Sequence, residues 1–199
     1  MADVNKGTHF MRGVVKWASI LTPNTTFEPT YQATLANPTQ VNNFGEVING
    51  DSTTILADFE NRGFEYSVKE DKDTGEKCLF FKRKFLVKKL KRNGNGEPIE
   101  DADGKWIFEE VENDVPVLMD KDNNPIDVAI GNGSEVNVLY STYEWEFKGR
   151  SGVAADLRAI QVTNLIPYNM NADADEAFEV VPDGFVTEDS NEELSFASN

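Results

Sequence analysis

The hydrophobic pattern reads as a series of strands separated by turn residues. Val14-Val15-Lys16-Trp17-Ala18-Ser19-Ile20-Leu21 is β-branched and aromatic, and the turn chemistry of Thr22-Pro23-Asn24 closes it. Tyr31, Ala33 and Leu35 alternate with Gln32 and Thr34, the period of a half-buried strand, which Pro38 ends. From 39 to 62 the alternation is lost. Val41, Phe44, Val47 and Ile48 fit one helical stripe, and Ile55, Leu56 and Phe59 fit a second after the break at Gly50. This predicts a helical insertion, as one interrupted helix or two short ones.

A single strand is predicted over Lys77–Arg92. Leu79, Phe81, Phe85 and Val87 point to one face, the core; Phe80, Lys82, Lys84 and Lys88 point to the other, because side chains alternate along a strand. Asn93-Gly94-Asn95-Gly96 turns the chain, and Trp106-Ile107-Phe108 and Val115-Pro116-Val117-Leu118-Met119 read as further strands. Glu135–Phe147 carries Val136, Val138 and Tyr140 on one face, then changes phase at Tyr143, Trp145 and Phe147, the mark of a bulge or bend. Leu157–Tyr168 is the last strand. Five to seven short strands with one helical insertion and no internal repeat suit a small closed barrel of the OB type, which binds oligonucleotides on an open face.

Charge then changes the picture. Of the 35 acidic residues, nine lie in the last 29 positions, 171–199, which hold no lysine or arginine. The body, 1–170, keeps 26 acids against 19 bases, so only a local basic region can favour a phosphate backbone. That region is Lys77–Arg92, with eight of the 19 basic side chains. Lysines spaced along a strand with an aromatic between them suit a bound backbone with stacked bases. The candidate DNA-contacting residues are Phe80, Lys82, Arg83, Lys84, Lys88, Lys89, Lys91 and Arg92. Tyr143 and Trp145 join them from the densest aromatic cluster, and Lys148 and Arg150 from the adjoining turn. The competing explanation is a solvated edge strand protected by lysine, with the aromatic cluster mostly core.

Other chemistries find little support. One cysteine, Cys78, excludes an internal disulfide framework, and with the one histidine, His9, it leaves no nucleophilic triad or Cys/His zinc set. Gly131-Asn132-Gly133-Ser134 lacks the lysine and following helix of a phosphate-binding loop and reads as a tight turn entering a strand. Asp120, Asp122 and Asn124 resemble the start of a calcium loop, but Pro125 and Gly131 occupy its glycine and glutamate positions. With neither a signal-peptide pattern nor a membrane-length apolar run, the chain reads as an intracellular protein without membrane contact or cofactor.

Several stretches resemble the single-stranded DNA-binding proteins of short-tailed phages. VPVLMDKDNNPI (115–126), IGNGSEVNVLYSTYEW (130–145) and GVAADLRAIQVTNLIPY (152–168) are similar to that family's hairpin, its Gly-x-Gly-Ser lead-in to a long strand, and its final barrel strand. KWASILTPNTTFEPTYQATLANP (16–38) is similar to its opening strand pair, and the acidic tail is a further match. The resemblance implies an OB-fold without catalytic activity. It implies sequence-independent binding of single-stranded DNA in phage replication, recombination and repair, in the cytoplasm of the infected bacterium. It also implies tail contacts with the phage DNA polymerase and helicase-primase. In this chain those contacts fall to Asp189, Glu192, Glu193, Leu194 and Phe196, although Ala197-Ser198-Asn199 follow the aromatic that ends the tail in the family pattern. The expected organisation is an OB domain over 1–170, with a helical insertion about 39–62, and a disordered acidic tail over 171–199. A homodimer is left open. The alternative is a phage structural or assembly protein with a self-associating β domain, and a carboxylate-only metal nuclease is a third reading.

Overall fold

A computed structural model describes residues 7–61, 67–147 and 149–169. The tail residues 171–199 and Lys148 lie outside them. Among the described residues the fold is mainly β, with ten strands: β1 (Thr8–Asn24), β2 (Thr30–Val41), β3 (Val47–Asn49), β4 (Val68–Glu70), β5 (Lys77–Lys84), β6 (Leu86–Leu90), β7 (Phe108–Glu112), β8 (Val117–Met119), β9 (Glu135–Phe147) and β10 (Arg150–Asn164). A helix, α1 (Ser52–Asn61), lies between β3 and β4.

Five strands close a barrel in the order β1-β2-β5-β10-β9 and back to β1. The pairs are antiparallel except β5 with β10, which is parallel and meets at Asp156 and Lys82. Closure by one parallel pair among antiparallel neighbours gives the OB-like barrel expected from the strand count. Strand β3 extends the sheet beside β2, β4 beside β5, and β8 beside β10. Strands β6 and β7 form a separate two-stranded hairpin.

Alternation fills the barrel. Tyr31, Ala33 and Leu35 from β2, Leu79 and Phe81 from β5, and Val136, Val138 and Tyr140 from β9 are buried, as their period implies. Phe59 of α1 closes over them: its ring lies 6.1 Å from Tyr140, which lies 5.0 Å from Phe81. Glycine is required where β9 begins. A Cβ on Gly131 would stand 2.8 Å from the carbonyl oxygens of Ile166 and Pro167, and Gly133 has φ +89°. This close approach lets the buried Ser134 hydroxyl donate to Ile166 O at 3.0 Å and accept from Ile166 N at 2.9 Å.

Several expectations are corrected. β1 begins six residues before Val14 and runs through Pro23 to Asn24. β2 passes Pro38 and ends at Val41. The stripe Val41, Phe44, Val47, Ile48 is not helical: a turn held by Asn42, which accepts from the Phe44 and Glu46 N–H groups, leads into β3. Local side-chain bonding by asparagine wins over the apolar spacing there. Only the second stripe forms a helix. The phase change in β9 comes without the bulge expected for it: pairing with β10 runs unshifted from Phe147 to Tyr140, while Trp145 is half-buried between the exposed Glu144 and Glu146. The register shifts lie in β10 instead, between Leu157 and Ala159 and between Val162 and Asn164. Finally, Lys77–Arg92 is two strands. β5 stops at Lys84, Phe85 turns to donate its N–H to Pro29 O at 2.9 Å, and β6 continues in the hairpin.

Candidate nucleic-acid interface

Residues directly opposite in an antiparallel pair share a face, so register assembles the outer surface of β1, β2 and β5. Trp17 of β1 faces Thr34 of β2, which faces Phe80 of β5. Ser19, Gln32 and Lys82 form the next row, and Thr30 and Lys84 a third. Trp17 is 51% exposed. Phe80, Lys82 and Lys84 thus lie on one outward face, as their alternation implies. Lys69 of β4 reaches over the same face, its Nζ 3.2 Å from the centroid of the Phe80 ring. Burial holds the Lys69 ammonium below the usual lysine range, and the nearby charge of Lys82 adds to the effect. Lys84 pairs with Glu28 of the β1–β2 loop at 2.9 Å.

A groove continues from Lys84 at the end of β5. Tyr143, Ser141 and Arg158 line it with Val87 at the root of the hairpin. Burial raises the Tyr143 phenol above its ordinary pKa, with Asp156 adding to the shift. Trp145 is half-buried two residues on, and Arg150 is exposed at the start of β10.

The remaining candidates are placed differently. Arg83 is 7% exposed. Its guanidinium donates to Asp156 Oδ2 at 2.7 Å, to Asp114 O at 2.7 Å and to Asn113 Oδ1 at 2.9 Å. It therefore clamps the returning end of the hairpin to β5 and β10. Lys88 and Lys89 stand on the hairpin directly opposite Glu110 and Glu109. Arg92 turns to Gly96 O at 2.7 Å, and Lys91 is exposed. The tail candidates Asp189, Glu192, Glu193, Leu194 and Phe196 lie outside the described residues.

Sequence reasoning missed Lys69, because three residues of β4 are too few to show a period. The inward Val68 beside an outward Lys69 is the only signal. Among the described residues, no group of three or more His, Cys, Asp or Glu side chains is placed to hold a metal ion, and no helix is long and apolar enough to cross a membrane.

Comparison with known structures places this architecture. The crystal structure of gp2.5, a single-stranded DNA-binding protein encoded by bacteriophage T7, superposes with a TM-score of 0.51 at 17% identity, covering 92% of this chain and 100% of that one. The barrel shares the fold of that phage protein. The single-stranded DNA-binding protein of bacteriophage Enc34 gives a TM-score of 0.48 at 12% identity over 88% of this chain and 92% of its own. In complex with single-stranded DNA the Enc34 protein gives 0.47 at 11% identity, over 83% and 91%. No family model and no curated protein matches the sequence.

Proposed function

We propose that the chain is a non-enzymatic, sequence-independent single-stranded DNA-binding protein of phage replication, recombination and repair, working in the cytoplasm of the infected host. The observation that carries this reading is the outer face of β1, β2 and β5. An exposed indole, Trp17, shares it with Lys82 and Lys84, on the strands an OB barrel uses for oligonucleotides. The fold held in common with gp2.5 supports it. Bases stack on Trp17 and Tyr143, and phosphates meet Lys82, Lys84 and Arg158. Stacking needs no base identity, so the binding is sequence-tolerant.

The tail of 171–199, with nine acids and no base, competes for the cationic face and offers Leu194 and Phe196 to the phage polymerase and helicase-primase. Fluorescence anisotropy with labelled single- and double-stranded oligonucleotides, at low and physiological salt, tests both parts on chains 1–199 and 1–170. Preference for the single strand, strengthened by losing the tail most clearly at low salt, is expected. Absence of binding by either chain would end the reading. Equal affinity of the two would remove the competing role from the tail.

A second reading, a self-associating structural β domain, rests on β3. Val47 and Ile48, with Phe44 beside them, are exposed along a strand that pairs only with β2 among the described residues and carries no lysine or proline. Light scattering on the wild type and on Ile48→Lys decides it. A dimer or larger assembly dispersed by the lysine supports self-association; a wild-type monomer at all concentrations removes it.

A further inference from the structure

Phe80 stands in the row of Trp17 and Thr34, yet it is 8% exposed where Trp17 is 51%. Lys69 lies across it. The ammonium sits 3.2 Å from the ring centroid, and among the described residues no carboxylate pairs with it, whereas Lys16, Lys77, Lys84 and Lys121 each have one. Burial disfavours the positive charge there, and the nearby Lys82 disfavours it further. Among the described residues the ring is thus the cation's one partner, and the ammonium is carried on a flexible four-carbon stem that is otherwise exposed.

We propose that Lys69 and Phe80 form an exchangeable pair that makes this face select single strands: the ammonium passes from the ring to a backbone phosphate, and an unpaired base takes its place on the ring. The inference rests on the single-strand-binding reading and names the residues that discriminate within it. A phosphate offers Lys69 a full negative charge and a charge-assisted hydrogen bond, which a ring face cannot match. Leaving the ring exposes an apolar surface to water, so the exchange is favourable only if something covers Phe80 again. An unpaired base does so. A duplex presents phosphates, but its bases are already paired and stacked, and the ring stays bare. Discrimination thus comes from the coupling of the two events.

The test uses the full chain, with labelled single-stranded and duplex oligonucleotides titrated over a series of salt concentrations. Lys69→Met keeps an unbranched apolar cover and removes the charge; Lys69→Ala removes both. Phe80→Leu keeps an apolar residue without a stacking face. Thermal unfolding confirms that each variant folds. With Lys69→Met, the slope of log K against log salt for the single strand should fall by about 0.7, the share of one phosphate. With Phe80→Leu, single-strand affinity should drop by about 5- to 140-fold, one lost stack, while duplex affinity stays at the wild-type level. Lys69→Ala should bind the single strand more tightly than wild type at high salt, where the phosphate attraction is screened and the ring is already bare. A merely structural lysine would not give that gain. Wild-type slopes in both Lys69 variants, or equal losses for single strand and duplex in Phe80→Leu, overturn the exchange alone. A wild-type chain without single-strand affinity overturns the exchange and the face together.

Discussion

The barrel face and the β6–β7 hairpin draw on the same basic stretch, and register sets its charges against different neighbours. On the barrel, Lys82 faces Gln32 across the sheet, and the neighbouring row runs through Trp17, Thr34 and Phe80, all uncharged. On the hairpin, Lys88 meets Glu110 and Lys89 meets Glu109. From 85 to 112 five bases stand against seven acids, so the arm is locally acidic although it holds half of the basic cluster. Cationic density along a sequence is therefore a poor measure of cationic surface. What a lysine faces is decided by register, and a lysine facing glutamine stands in a less negative surrounding than one facing glutamate.

Arg83 joins the two regions, and its removal should have the largest effect. The guanidinium satisfies Asp156 on β10 together with Asn113 and the Asp114 carbonyl at the return of the hairpin. Breaking a buried pair by deleting one partner costs about 3–5 kcal/mol. Arg158 also reaches Asp156, at 3.0 Å, which sets the expectation at the lower end of that range. Denaturant unfolding of Arg83→Met should show a loss of about 3 kcal/mol. A loss comparable to that of a surface substitution would mean that the hairpin docks without this clamp.

Trp17→Ala comes next and probes the barrel side alone. The indole is half exposed, so stability should change little, while affinity for single-stranded DNA should weaken by about 1–3 kcal/mol through one lost stack. Unchanged affinity would move the stacking surface off this row and onto the Tyr143 groove.

These two predictions also show what could be read from the chain. Leu79, Phe81, Val136, Val138 and Tyr140 announce their burial by alternation, and the OB-like strand count follows from them. Phe80, Lys82 and Lys84 are legible as an outward set for the same reason. The break at Phe85 is not, because Leu86-Val87-Lys88-Lys89-Leu90 continues to look like strand; the turn is imposed by the Pro29 carbonyl, 56 residues away. Arg83 is counted among the phosphate contacts because its partners Asn113, Asp114 and Asp156 are remote in sequence. Glu109 and Glu110 read as part of an acidic stretch, and nothing local says that they stand opposite Lys89 and Lys88. Alternation within one strand is local information; the partner across the sheet is not.

The lysines sharpen the comparison at smaller scale. Lys82→Ala should lower the single-strand salt slope by about 0.7. Lys84→Ala should lower it by less, since a phosphate must first displace Glu28, although an exposed pair of that kind holds weakly. If Lys84 carries the larger share, the strand runs along the Tyr143 groove in preference to the Trp17 row.

The smallest effect belongs to the hairpin. Lys88→Glu and Glu110→Lys, singly and together, form a cycle whose coupling in unfolding free energy should be about 0.2–1 kcal/mol, the range for a cross-strand charge pair. The charge-restoring double variant should recover wild-type stability, and its single-strand affinity and salt slope should match wild type, because the exchange leaves the charge of the arm unchanged. A slope that falls in Lys88→Glu by more than long-range repulsion allows, and that stays low in the double variant, would mean that the position of the cation matters rather than its pairing. The arm would then join the barrel as part of the binding surface, and the distinction drawn from register would fail at this site.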